Sequence, residues 1–130
     1  MSKRKALPAK IEVRLTERAI RDLHQIEIYS TEQWGTQVAS RYLSDIQAGL
    51  DLLRNSPNLL RDDPDISKAF ALYRIRRHCL VCQRLAGIVG VLAVIHGAMD
   101  LPQRLWELQP ILLEEAEILA SELGRQHGFE

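Results

Sequence analysis

The sequence predicts one α+β domain: an N-terminal strand, an antiparallel helical hairpin packed on a small antiparallel β-sheet, and an extra C-terminal helical tail. Three observations carry this. The stretch from Ile88 to Ile95 has no polar side chain, is rich in Val and Ile, and lies between Gly87 and Gly97. It reads as a strand buried on both faces, since a helix would be longer and Gly90 would weaken it. Such a strand needs neighbours on both edges and cover on both surfaces. The second observation is a pair of apolar stripes at helical spacing that meet at Gly35, and the third is a leucine stripe after Pro102.

At 130 residues the chain is long enough for one core, and 17 Lys+Arg balance 17 Asp+Glu. Zero net charge argues against a protein that grips a phosphate backbone by charge alone. The charge is polarised, with a basic start (Lys3, Arg4, Lys5, Lys10) and an acidic end (Glu107, Glu114, Glu115, Glu117, Glu122). No apolar run follows the basic start as in a signal peptide. The longest apolar run, Leu85 to Ile95, falls short of the roughly 20 residues that span a bilayer. With two cysteines and no disulfide framework, the expectation is a cytoplasmic protein without a membrane partner.

Taken in order, residues 1–9 read as a disordered basic arm. Ile11, Val13 and Leu15 alternate with Glu12 and Arg14, the pattern of a half-buried strand. Thr16 offers an N-cap to a helix from Glu17 to about Gln33, whose packed face carries Ala19, Leu23, Ile26, Ser30 and Trp34. Gly35 breaks it and Thr36 is expected to cap the next helix, from about Gln37 to Asn55. Ala39, Leu43, Ile46, Leu50 and Leu53 form its seam, and Ser56-Pro57 ends it. Residues 58–68 read as a loop around Asp62-Asp63-Pro64-Asp65, a solvated turn without a metal-binding ligand set. Phe70 to Arg76 and Cys79 to Leu85 read as strands, the latter turning through Ala86-Gly87 into the apolar strand. The tail from residue 102 carries Leu105, Leu108, Leu112, Ala116, Leu119 and Leu123 on one face, with a kink or restart at Pro110 and an end at Gly124. That stripe fits packing on its own domain or, as a homodimer, on a second chain.

Few residues carry chemistry. Cys79 and Cys82, three apart on a strand, face opposite sides and lie about 10 Å apart, too far for a disulfide. The four histidines lack metal-ligand spacing, so no metal and no cofactor are expected. Arg74, Arg76, Arg77 and Arg84 form the densest basic cluster of the folded part, with Arg74 and Arg76 expected on one sheet face. Guanidinium groups so close need a carboxylate of the same chain or an acidic partner. His96 ends the apolar strand, where an imidazole can move protons near neutral pH, but no triad spacing surrounds it.

Four stretches together resemble the RelE/ParE superfamily of toxins from type II toxin–antitoxin systems, and ParE more than RelE. These are Leu15-Thr16-Glu17-Arg18-Ala19 leading into Asp22 to Tyr29; Trp34-Gly35 with Ala39 and Tyr42-Leu43; Asn55-Ser56-Pro57; and Val94-Ile95-His96-Gly97-Ala98-Met99-Asp100. The resemblance implies a toxin domain over residues 10–101, with residues 102–130 as an extension outside the family pattern. It implies a growth inhibitor neutralised by a cognate antitoxin, expected to be of the ribbon-helix-helix type. A ParE-like member would bind and inhibit DNA gyrase without catalysis. A RelE-like member would cut mRNA on the ribosome, with Arg74, Arg76 and Arg84 on phosphate and His96 moving a proton. A degenerate member would bind only its antitoxin. This chain has Cys82, Gln83, Ala93 and Ala98 where the family is often polar, which favours binding over cleavage. The target-binding residues implied are Arg74, Arg76, Arg77, Arg84, His96 and Met99.

Overall fold

The computed structural model describes residues 11–85, 87–97 and 100–127. The expected arm over residues 1–9, half of the Ala86-Gly87 turn, Ala98 and Met99 lie outside the described residues. The elements run β1 (Glu12–Leu15), α1 (Glu17–Trp34), α2 (Thr36–Asn55), a short 3-10 turn (Pro57–Leu59), β2 (Arg61–Asp62), β3 (Ala71–Ile75), β4 (His78–Leu85), β5 (Ile88–His96) and α3 (Leu101–His127). They build one five-stranded sheet in the order β1-β5-β4-β3-β2.

The apolar strand β5 sits between β1 and β4, neighboured on both sides as its composition demands. β2 to β5 form an antiparallel meander, but β1 pairs with β5 in parallel, Glu12 opposite Ile88 and Leu15 opposite Val91. The sheet is therefore mixed rather than purely antiparallel, because the helical hairpin and the meander separate these two strands and carry the chain back in the same direction.

Each sheet face has its own core. On one, Ile46, Leu50 and Leu53 of α2 and Ala19 of α1 meet Ala71, Ile75, Leu80, Cys82, Val89, Val91 and Val94. On the other, Leu101, Leu105, Leu108, Leu112 and Ala116 of α3 cover Phe70, Leu72, Cys79, Val81, Leu92, Ala93 and Ile95. Leu119 and Leu123 extend that contact over Ile88. The α3 stripe is thus buried against its own sheet. Cys79 and Cys82 are free thiols on opposite faces, and burial pushes both of them up in pKa.

Several local expectations give way to packing. α2 is N-capped by Gly35 at φ 88, and Thr36 is its first helical residue rather than its cap. Trp34 stays half exposed instead of joining the packed face of α1. The expected loop over residues 58–68 contains β2, with Arg61 and Asp62 opposite Leu72 and Ala71. α3 passes through Pro110 and beyond Gly124 as one helix. Pro110 lies on the solvent side, where water can satisfy the carbonyl whose bond it removes.

Gly90 and Gly49 each admit a neighbour. A Cβ at Gly90 would stand 3.0 Å from Leu119 Cδ2 of α3, and one at Gly49 would stand 2.9 Å from Ile75 Cγ1 of β3.

One irregularity decides which face the end of β5 presents. Val81 pairs with Ala93 and Cys82 with Val91, leaving Leu92 as a β-bulge. Leu92 and Ala93 consequently both face α3, and Val94 turns back to the helical hairpin. Thr16 holds the bulge. Its backbone N–H donates to Val91 O at 3.0 Å and its hydroxyl donates to Leu92 O at 3.0 Å. The same hydroxyl oxygen accepts from Ala19 N–H at 3.1 Å, which caps α1 as the sequence predicts.

Candidate functional site

Because of the bulge, His96 lies on the hairpin side, opposite His78 at the start of β4. The two imidazoles are 5.2 Å apart, edge to face. Tyr42 reaches up from α2, with its hydroxyl 2.6 Å from His78 Nδ1. The Tyr42 oxygen also accepts from Arg77 N–H at 3.2 Å. Assigned with the tyrosine O–H donating, the His78 ring is neutral with its proton on Nε2. Burial, then the nearby charge of His96, lowers the His78 pKa to about 4.

The two-residue turn between β3 and β4 is Arg76-Arg77, and Arg76 takes φ 55, unusual for a residue with a side chain. Two contacts from α2 hold it there. Arg76 Nη2 lies 2.8 Å from Asp45 Oδ2, and its guanidinium stands 5.8 Å from the Tyr42 ring centre. Arg77 is exposed, and among the described residues no carboxylate pairs with it.

These groups form one wall of a groove of about 760 Å³ between the hairpin and the end of the sheet. The other wall is aromatic and aliphatic: Tyr29, Trp34 and Val38 line it while remaining 57%, 50% and 41% exposed. Tyr29 and Trp34 meet edge to face at 5.9 Å. Asp22 forms the floor, accepting from the Val94 N–H at 2.9 Å. It takes the place of a paired strand beyond the end of β1. Burial raises its pKa, against the lowering effects of that hydrogen bond and of Arg18, Arg21 and Arg104.

Of the residues singled out from sequence, Arg76, Arg77 and His96 come together here. Arg74 does not share their face. It alternates with Tyr73 and Ile75 onto the α3 side, and its Nη1 would be 3.1 Å from a Cβ at Gly97. The expectation that Arg74 and Arg76 project together fails because Arg76 belongs to the turn, where the left-handed backbone redirects it. Arg84 is at the far end of β4, roughly 20 Å along the strand from His78, paired with Asp62 at 2.9 Å beside a separate polar hollow of about 320 Å³. Met99 lies outside the described residues. Sequence reasoning passed over Tyr29, Val38 and Asp22 and assigned Trp34 to the core. Trp34 and Tyr29 at the hairpin tip were the available signal, since Trp and Tyr mark surfaces that dock partners.

Among the described residues no group of three or more His, Cys, Asp or Glu is placed to hold a metal, and no helix is long and apolar enough to cross a membrane. The groove can bind an elongated ligand with an apolar anchor at one end and negative charge at the other.

This architecture has relatives. The family model described as the ParE toxin of type II toxin–antitoxin systems, parDE, matches residues 13–101. Toxin ParE of Escherichia coli is 30% identical over 92 residues, covering 70% of this chain and 89% of that protein. Toxin ParE1 of Caulobacter vibrioides is 28% identical over 87 residues, covering 67% of this chain and 90% of that one. A solved structure of a chromosomal ParDE toxin–antitoxin system from P. aeruginosa superposes with a TM-score of 0.60 at 14% identity, over 68% of this chain and 98% of that one. The family match takes in β1 through β5, and so every element that builds the groove, and it ends where α3 begins. The chain belongs to the ParE toxin family of type II toxin–antitoxin systems.

Proposed function

We propose that this chain is the growth-arresting toxin of its pair, that it acts in the cytoplasm by binding DNA gyrase without catalysis, and that a cognate ribbon-helix-helix antitoxin neutralises it. The observation that carries this is the exposed basic end of the groove, Arg76, Arg77 and His96, lying within the family match. Arg74 borders that end from the opposite face, while Arg84 contributes to a different surface. The acidic partner that the arginine cluster calls for is then in part internal, as Asp45 and Asp62, and in part the target, which meets Arg77.

The test is induced expression in bacteria together with a supercoiling assay on purified gyrase. Growth arrest with inhibited supercoiling is expected, and Arg77→Glu should weaken the inhibition at least tenfold. The histidine pair favours a second reading, ribosome-dependent mRNA cleavage with His96 moving a proton. Cleaved mRNA with normal supercoiling would establish that reading, and absence of arrest would leave only antitoxin binding.

A further inference from the structure

We propose that the flank of α3 bordering β1 is a docking surface for the chain's own basic segment, residues 3–10, which sets Leu7 and Pro8 over Ile111 and Ile118 and its cations on Glu115 and Glu122. The contact does not depend on the toxin reading above. It gives the helix beyond the family match a second anchor.

α3 starts just beyond His96 and packs Leu119 and Leu123 on Ile88, so it runs antiparallel to β5. Its core side covers β3, β4 and β5, and no β1 residue joins that core. β1 turns Ile11 and Val13 to the hairpin, which leaves Glu12 and Arg14 accessible on the α3 side. A step therefore separates the helix from β1. Arg104 marks the flank that overlooks this step, because its charge acts on Asp22, which holds the same edge of β5 at Val94. Ile111, Glu115, Ile118 and Glu122 follow Arg104 at spacings of seven, four, three and four, and so share its flank.

That flank combines apolar surface with uncompensated negative charge. Ile111 and Ile118 are 47% and 52% exposed. Among the described residues no cation pairs with Glu114, Glu115, Glu117 or Glu122. Glu114 and Glu117 repel each other at a spacing of three, and acids in the second half of a helix oppose its dipole. Residues 1–10 lie outside the described residues, and their sequence has the matching chemistry: Lys3-Arg4-Lys5, then Ala6-Leu7-Pro8-Ala9, then Lys10. They also join the fold at the right place. Glu12 pairs with Ile88, and Ile88 packs on Leu119 and Leu123, so the segment enters beside the second half of α3. Eight extended residues reach about 26 Å, against roughly 17 Å along the helix from Glu122 to Ile111. Being tethered there, the segment has a high effective concentration at the flank that a separate partner lacks.

The test uses the full chain. Zero-length carbodiimide crosslinking with peptide mass spectrometry locates the segment. Lys3, Lys5 or Lys10 should join Glu115 or Glu122 within monomeric protein, with a yield that falls at least about threefold in ~1 M salt. Thermal melts weigh the contact. Reversing the segment by Lys3→Glu, Arg4→Glu and Lys5→Glu should lower the Tm of the parent by about 2–4 °C, and should raise it when Glu115→Lys and Glu122→Lys are already in place. In a background of Glu27→Lys and Glu32→Lys, exposed positions on α1 across the sheet, the same reversal should lower the Tm as in the parent. A shift of one sign in both flank backgrounds, no shift in either, or an inversion that the α1 pair reproduces would overturn the proposal. So would an absence of crosslinks to the flank, or crosslinks confined to covalent dimers, which would put a second copy's segment there.

Discussion

At His78 a single ring couples the groove to the stability of the fold. Folding takes the imidazole from an ordinary pKa of 6.5 to about 4 by burying it near His96. Between those values the unfolded chain binds the proton that the folded chain refuses. The His78 contribution is therefore complete above 6.5 and is lost as pH falls toward 4. Asp22, raised above 3.8 by its own burial, has the opposite sign in the range just above that value. Urea melts of the parent and of His78→Gln should separate the two: the parent loses stability from neutral pH down to about 4, and the variant loses distinctly less. The histidine environment could not be read from sequence. Its hydrogen-bond partner, the Tyr42 hydroxyl, comes from a helix position 36 residues away, and nothing in the position of Tyr42 beside the α2 seam announces a hydrogen bond to a strand.

At the scale of elements, α3 shows how far pattern carries and where it stops. Its six predicted contact residues, from Leu105 to Leu123, are all buried, because a leucine stripe at spacings of three and four has one way to leave water. The local punctuation misled. Pro110 is a helix breaker by propensity, but its cost of ~3 kcal/mol is smaller than the gain from keeping the stripe continuous on the sheet from Leu101 to Leu123; nothing in the structure explains the continuation past Gly124. Leu112 is fully buried among Phe70, Leu72 and Leu92. Leu112→Ala should cost about 2–5 kcal/mol in urea unfolding, with antitoxin binding unchanged for the fraction that remains folded. A comparable loss of antitoxin affinity would mean that α3 contributes to the partner site.

For the molecule as a whole, the meander of β3, β4 and β5 and the need for cover on both sheet faces were legible, whereas the parallel place of β1, the short β2 and the register of β5 were not. A strand that is dry on both sides offers no polar residue to mark in from out, so its phase is not specified by hydrophobicity. Ala93, Val94 and Ile95 could face either core. Thr16, hydrogen-bonded to Val91 and Leu92, settles the matter from outside the strand. Removing Leu92 would take out only the extra residue: Val91 would stay opposite Cys82 and Ala93 opposite Val81, so Ala93 and Ile95 would keep the α3 side and Val94 and His96 the hairpin side, at the cost of one buried leucine. The expected outcome is a variant whose circular dichroism is that of the parent, whose melt is lower, and whose gyrase inhibition is kept, read in the same supercoiling assay. An in-frame loss of three nucleotides at the Leu92 codon would then be tolerated, whereas the same loss at the Val94 codon, touching no charged or aromatic residue, would carry His96 to the α3 side and be enough to disarm this protein.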